Sequence, residues 1–436
     1  MPTGYRPRLL SLALLLPALG CREGAEPTSV ADVSGYQPAI ATLEFIQVSA
    51  GEDHSCGVTA AHQAYCWGSN DAGELGLGTT TGPEFCNGSA CSRRPVPVLG
   101  GLAFRQVSAR GRFHSCGVTT DDVAYCWGTN AFGQLGDGTE NDSPQPVPVA
   151  GGLRFREVIA GLLHSCGVTT DNVAYCWGHN QAGELGNGSI NTELRPVRVA
   201  RGLAFRQLSG GEQLTCGLTT QGAAYCWGEN TVGQLGIGTA DGPESCFTGD
   251  NSVPCSTKPA RVIRGLRFSR ISVGNAHVCG VTTDELAYCW GWNSGGQLGQ
   301  RTKGESEFCL GELTCSTRPV RVTGRLSFAA VDAGTAHSCG LTTAGEAYCW
   351  GVNDDGELGT GSPSDLERCP IARHCSPRPL AVLGGFTFRS LEAGGGHSCA
   401  ATVAGVAYCW GRNELGQVGD GTIDRRRRPR RVAAPG

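Results

Sequence analysis

The sequence predicts an all-β protein: a seven-bladed β-propeller of four-stranded blades, closed by pairing of its N- and C-terminal strands. Three observations carry this expectation. One pattern recurs seven times, with first-cysteine spacings of 60, 50, 50, 63, 60 and 60 residues, a period that means a solenoid, propeller or array. Apolar residues alternate over short runs bounded by Gly, Pro, Asn and Asp, and no segment sustains a helical period. Finally, 67 of 436 residues are glycine without a collagen-like repeat, as many tight turns would require.

The second copy shows the unit in full. Phe104-Arg105-Gln106-Val107-Ser108-Ala109 reads as a strand, and His114-Ser115-Cys116-Gly117-Val118-Thr119-Thr120 as the next. Ala124-Tyr125-Cys126-Trp127-Gly128 reads as a third, followed by an N-x-x-G-[QE]-[LV]-G turn from Asn130 and a P-x-x-V strand. The first copy opens at Phe45 with no P-x-x-V strand ahead of it, whereas the seventh ends with Pro429-Arg430-Arg431-Val432. A C-terminal strand completing the blade begun at the N-terminus would cover edges that otherwise invite aggregation.

The Gly-x-x-His-Ser run, the Tyr-x-Trp-Gly strand end and the Asn-x-x-Gly-Gln-Leu-Gly turn together resemble the repeat of the regulator of chromosome condensation family. The resemblance covers residues 43–436 and implies a seven-bladed propeller. Functions in that family include guanine-nucleotide exchange on a small GTPase, chromatin binding and, in a secreted bacterial relative, inhibition of β-lactamases. Some members use tryptophans as a light-sensing cluster.

Residues 1–20 read as an export signal. Arg6 and Arg8 precede the apolar run Leu9 to Leu16, which is too short to anchor permanently in a bilayer. Pro17-Ala18-Leu19-Gly20-Cys21 then resembles a bacterial lipoprotein signal, in which the cysteine is acylated and becomes the first residue. An ordinary cleaved signal is the alternative, so the protein is expected to be exported, membrane-tethered or secreted. Residues 21–42, rich in Ala, Pro, Ser and Glu, read as a tether.

The 23 cysteines fit export. Seven pairs have the form C-x9-C: Cys56 with Cys66, Cys116 with Cys126, Cys166 with Cys176, Cys216 with Cys226, Cys279 with Cys289, Cys339 with Cys349, and Cys399 with Cys409. Four shorter pairs are Cys86 with Cys91, Cys246 with Cys255, Cys309 with Cys315, and Cys369 with Cys375, leaving Cys21 alone for lipid. An even set in an exported chain implies a disulfide framework. Placing Cys56 opposite Cys66 in a hairpin sets Gly57 against Tyr65 and leaves a three-residue loop at 60–62. Such loops end on a left-handed residue. The seven occupants are His62, Asp122, Asn172, Gly222, Glu285, Gly345 and Gly405, of which Glu285 suits that conformation least. Bridges between blades remain open at this point.

Six histidines, His54, His114, His164, His277, His337 and His397, share one slot, which Leu214 fills in the fourth repeat. Ringed about an axis they could hold a metal or haem, but no matched carboxylate accompanies them, and satisfying backbone groups between blades is the favoured role. Tryptophans 67, 127, 177, 227, 290, 350 and 410 likewise read as packing anchors. The Asn-x-x-Gly turns lack a P-loop lysine or an EF-hand ladder, and no nucleophile elbow or H-E-x-x-H occurs. No cofactor, metal or enzymatic activity is expected. A net charge of −4 excludes a generally basic, nucleic-acid-wrapping surface.

The irregularities suggest function. Repeats one, four, five and six carry extra residues between the turn and the P-x-x-V strand, each with its own cysteine pair. They should rise on one face, crowd one arc of the rim and offer Phe85, Phe247 and Phe308 to a protein partner. Arg425 to Arg428 with Arg430 and Arg431 could touch anionic lipid or polymer, or serve as a charged edge. The expected function is a non-enzymatic interaction scaffold of the cell envelope. The alternatives are an extracellular enzyme inhibitor, an envelope-polymer binder and, disfavoured by compartment, an exchange factor.

Overall fold

Each repeat folds into one antiparallel sheet because its apolar residues alternate and its turns fall where Gly and Asn allow reversal. The computed structural model describes residues 43–300, 307–309, 313–362 and 366–435; the expected signal, Cys21 and the tether to residue 42 lie outside them. In the first blade Phe45–Ala50, His54–Thr59, Ala64–Ser69 and Ser89–Pro97 lie side by side in chain order. Six further sheets follow, over 104–148, 155–198, 205–261, 268–321, 328–381 and 388–431. The protein is therefore all-β with seven blades.

The first strand of every blade lines the axis. A 320 Å³ cavity there is bounded by the first-strand residues Gln47, Ser49, Gln106, Ser108, Gln207 and Ser209 among others. Side chains stitch these strands together: the Gln47 amide donates to Val107 O at 2.6 Å and accepts from Val107 N at 2.9 Å. Apolar clusters fill the seams between blades rather than one central core, because each sheet is apolar on both faces.

Closure differs from the expected strand exchange. The C-terminal strand Arg426–Arg431 pairs with Ala407–Gly411 of its own repeat, and Phe45–Ala50 pairs with His54–Thr59 of its own. Every blade is thus one contiguous segment. The ring closes face to face: Phe45 N donates to Gly405 O and Gly395 N to Gly51 O, both at 2.8 Å. Phe45, Val48, Trp67, Cys409 and Val432 share one cluster across that seam. The P-x-x-V segment is the outer strand of the blade it ends, so the first repeat lacks nothing.

Within each blade the hairpin register sets Cys56 against Cys66, Gly57 against Tyr65 and Val58 against Ala64. Cys56 and Cys66 are bridged at a Cα separation of 4.0 Å. Cys116 is bridged to Cys126, Cys166 to Cys176 and Cys216 to Cys226, each at 4.0 Å. Cys279 is bridged to Cys289, Cys339 to Cys349 and Cys399 to Cys409, at 4.0–4.1 Å. Every one of these bridges stays inside its own blade, which closes the alternative of bridges between blades. All seven loop-end residues have positive φ, from 61° at His62 to 82° at Gly222, and Glu285 conforms at 62°. A Cβ on Gly57 would stand 2.6 Å from Phe45 Cδ1, so the ring of the inner strand, not Tyr65, lies over it.

The inserts are strands rather than free loops. Glu84–Cys86, Glu244–Thr248, Glu307–Cys309 and Glu367–Cys369 each form a fifth strand on the lengthened outer strand of their blade. They occupy three consecutive blades, four to six, and the first blade beyond the seventh.

Candidate functional site

The repeated polar residues are spent on the seams. His54 Nε2 meets Ser115 Oγ of the next blade at 2.7 Å, and Ser115 Oγ donates to Glu74 O at 3.1 Å. Trp127 Nε1 donates to the same carbonyl at 2.9 Å. Since the serine proton goes to the carbonyl, the histidine must donate from Nε2, which fixes the neutral tautomer. The relay recurs through His114–Ser165, His164–Thr215, His277–Ser338, His337–Ser398 and His397–Ser55 at 2.7–2.9 Å. The imidazoles thus meet a neighbouring hydroxyl, which relays them to the backbone, instead of meeting the backbone directly. Burial pushes His54, His114, His277, His337 and His397 down to about 3, and His164 to about 4.

The seven tryptophans are fully buried and each is paired with the phenylalanine of its blade at 5.8–6.4 Å. Among the described residues no two tryptophan rings pair. The Asn turns are equally self-contained. Asn70 Oδ1 accepts from Leu75 N at 3.1 Å, and its amide donates to Thr79 O at 2.9 Å and Thr81 O at 3.2 Å. The Asn70 side chain thus holds its turn, with both of its amide protons committed to it.

The insert-bearing face is where polar and apolar groups remain available. Strands alternate in direction, so the third strand ends at the face where the inner strand ends, and every insert leaves from that side. The insert disulfides Cys86–Cys91, Cys246–Cys255, Cys309–Cys315 and Cys369–Cys375 close at Cα separations of 5.8–6.0 Å. Three of the hairpins lean on the preceding blade. Asn87 Nδ2 donates to Glu414 O at 3.0 Å, Gly249 N donates to Gln181 Oε1 at 3.2 Å, and Cys309 and Cys315 pack on Val232. Phe85 is 74% and Phe247 55% exposed on these hairpins. The Phe308 side chain lies outside the described residues. Ile371, 43% exposed, is the apolar tip of the insert that lacks an aromatic. Sequence reasoning passed over it by looking only for phenylalanine.

The same face opens onto the axis, where the second missed residue sits. His114 follows Phe104 by ten residues, against nine in every other repeat, and the difference adds Arg110. Its guanidinium crosses to three other blades. Nη1 donates to Val273 O at 2.7 Å and Ala333 O at 3.2 Å, Nη2 pairs with Asp332, and Nε lies 3.5 Å from Glu392. Arg110 lines both the axial cavity and the pocket at the ends of the inner strands. Burial and the Asp332 charge push Glu392 up to about 8, against the pull of Arg110.

The arginine-rich end is partly committed. Arg425 pairs with Asp355 at 2.7 Å and Arg426 with Asp420 at 2.5 Å, whereas Arg428, Arg430 and Arg431 form no ion pair among the described residues.

Comparison with known proteins agrees with this architecture. A model of the RCC1-like domain matches residues 18–310, and the regulator of chromosome condensation repeat matches 284–341, 344–401 and 404–436. The ultraviolet-B receptor UVR8 of Arabidopsis thaliana is 27% identical over 382 residues, 86% of this chain and 66% of that receptor. The human E3 ubiquitin-protein ligase HERC2 is 31% identical over 176 residues, which is 40% of this chain but only 3% of the ligase. Yeast RCC1 (Prp20), in its complex with Kap60, superposes with a TM-score of 0.69 at 22% identity, covering 94% of this chain and 91% of that one. Human WBSCR16 gives 0.70 at 21% identity, covering 86% and 94%. At these identities the superpositions speak for the fold alone. With more than half of its length matched by the family's domain model, the chain belongs to the RCC1-like family, built from regulator of chromosome condensation repeats.

Proposed function

We propose that the protein is an exported, non-enzymatic interaction scaffold that binds a protein partner through its insert-bearing face. The observation that carries this reading is the set of disulfide-closed hairpins holding Phe85, Phe247 and Ile371 out to solvent. Apolar side chains on pre-ordered strands lose little entropy on association and suit an interface centre. Propellers of this fold do engage proteins: yeast RCC1 has been solved with Kap60 and studied for binding to Gsp1p and histones.

The anchoring part of the proposal rests on the sequence. Residues 1–20 act as the signal, Cys21 takes the lipid, and residues 21–42 tether a propeller of residues 43–436 to the envelope. Eleven bridged cysteine pairs account for every cysteine but Cys21 and suit an oxidising compartment. That compartment disfavours nucleotide exchange inside the cell. Inhibition of an extracellular enzyme would use the same face. Binding of an envelope polymer would instead use Arg428, Arg430 and Arg431, and would weaken steeply with salt.

The test is comparative capture by immobilised protein. The Phe85→Ser/Phe247→Ser double variant should lose a partner that the wild type retains, with thermal stability unchanged. Equal capture by both, or capture lost only on removing Arg428, Arg430 and Arg431, would reject this face as the interface.

A further inference from the structure

The sevenfold pattern breaks at one seam in three ways. Between blades four and five the histidine is replaced by Leu214 and the hydroxyl by Val278, so the polar relay is absent there. Beside them stands Trp292, which lies outside the seven-membered tryptophan set. Its position holds Ser69, Thr129, His179, Glu229, Val352 and Arg412 in the other blades. The third break is a pocket of 270 Å³ on the insert-bearing face, between the axis and the fifth blade's insert.

The pocket's chemistry is one-sided. Leu214, Val232, Ala276, Leu313 and the Trp292 ring supply apolar walls, and Glu212 and Glu229 supply negative charge. No lysine or arginine lines it among the described residues. Thr231 Oγ1 donates to Glu229, which no described cation neutralises, and burial together with the Glu212 and Glu184 charges holds the Glu229 carboxyl above its ordinary range. The Trp292 indole N–H is buried with no partner. An aromatic ring beside a carboxylate that no described cation neutralises, over an apolar floor, suits an organic cation.

The geometry points to a binding site for an alkylammonium group with a short apolar stem, centred on Trp292 and Glu229 between blades four and five. A small organic cation and a lysine side chain of a partner both carry that group. For a small cation this inference stands apart from the insert-face reading, and for a partner's lysine it rests on that reading.

The test is calorimetric titration of the full chain with choline, with its uncharged carbon isostere dimethylbutanol, and with N-acetyl-lysinamide. Choline or the lysinamide should bind saturably, and the uncharged isostere about tenfold more weakly. Trp292→Val and Glu229→Gln should each lose about tenfold in affinity at unchanged melting temperature. Valine is the natural occupant of the slot in the sixth blade, and Glu229→Gln serves if Trp292→Val folds poorly. Preference for choline identifies a site for a small quaternary cation, and preference for the lysinamide a site for a primary-ammonium side chain. Equal binding of choline and its isostere, no binding of either cation, or variants that bind like the wild type would overturn the proposal.

Discussion

Leu214 and Val278 meet in one apolar cluster, at the two positions that hold a histidine and a hydroxyl at every other seam. The exchange is paired for a physical reason. A buried imidazole N–H opposite valine would have no acceptor, and a buried unpaired polar group costs about 1–3 kcal/mol. Both partners change, or neither does. Leu214→His alone should therefore destabilise by about 1–3 kcal/mol, while Leu214→His/Val278→Ser recovers most of the loss. Urea titration of the two single variants and the double variant measures the coupling. Strict additivity would refute the relay.

The seams also set the response to acid. Six histidines have folded values of about 3 to 4, below the ordinary 6.5, so the unfolded chain binds more protons between these limits. Their contribution is complete above pH 6.5 and is lost as pH falls to about 3. Glu157 and Glu357, at about 7, and Glu392, at about 8, act oppositely: burial makes the folded state hold their protons, so they stabilise at low pH and lose this as pH rises through those values. Burial raises Glu52, Glu74 and Glu229 as well, so the two sets oppose each other between pH 4.5 and 6.5. Below pH 4.5 these glutamates are protonated in both states and, of the two sets, the histidines alone still respond, so the urea midpoint should fall steeply from pH 4.5 towards pH 3. A midpoint that holds or rises over that interval would show the histidines to be exposed.

Glu285 is the loop-end residue least suited to its φ of 62°. Replacing it with glycine, as at Gly222, Gly345 and Gly405, should stabilise by roughly 1 kcal/mol. Thermal unfolding of Glu285→Gly tests this, and a lowered melting temperature would contradict it.

Phe155 lies over Gly167, where a Cβ would stand 2.6 Å from the ring. Gly167→Ala should cost about 1–3 kcal/mol by overpacking. The seventh blade shows how the ring yields. There Ala400 replaces the glycine, and Phe388 sits 6.4 Å from Trp410 at 37°, whereas the other six pairs lie at 5.8–6.0 Å and 47–59°. A fully neutral Gly167→Ala would mean that the ring shifts without loss.

Because each blade is one contiguous segment, ending the chain before Arg426 should strip an outer strand and Val432 from the closing seam without opening the ring. Limited proteolysis should then show cleavage confined to the seventh blade. Uniform digestion would restore the strand-exchange model of closure.

The blades were legible in the sequence because the chain aligns with itself: the C-x9-C register, the left-handed loop ends and the seven strands of each type follow from period and turn chemistry. Pairs such as Cys166 with Cys176 and Cys339 with Cys349 fell into one hairpin because their spacing fits a three-residue loop. Closure was not legible, since a P-x-x-V strand reads equally well as the last strand of one blade or the first of another. Only the pairing of Arg426–Arg431 with Ala407–Gly411 decides between them. The histidine relay was half visible. The Leu214/Val278 exchange stood in the sequence, but the partner slot lies in the following repeat and needs the seam geometry to be matched. Arg110 was detectable as one residue of excess spacing, yet its reach across the axis depends on blades far away in the chain.

The most direct test of an exported, disulfide-stapled scaffold is the intact mass of protein taken from its own membranes, alkylated before and after reduction. The expected result is a lipid adduct on Cys21, no alkylation before reduction, and labelling of the other 22 cysteines after it. Free thiols on a chain with an unprocessed N-terminus would contradict export, and with it the envelope scaffold.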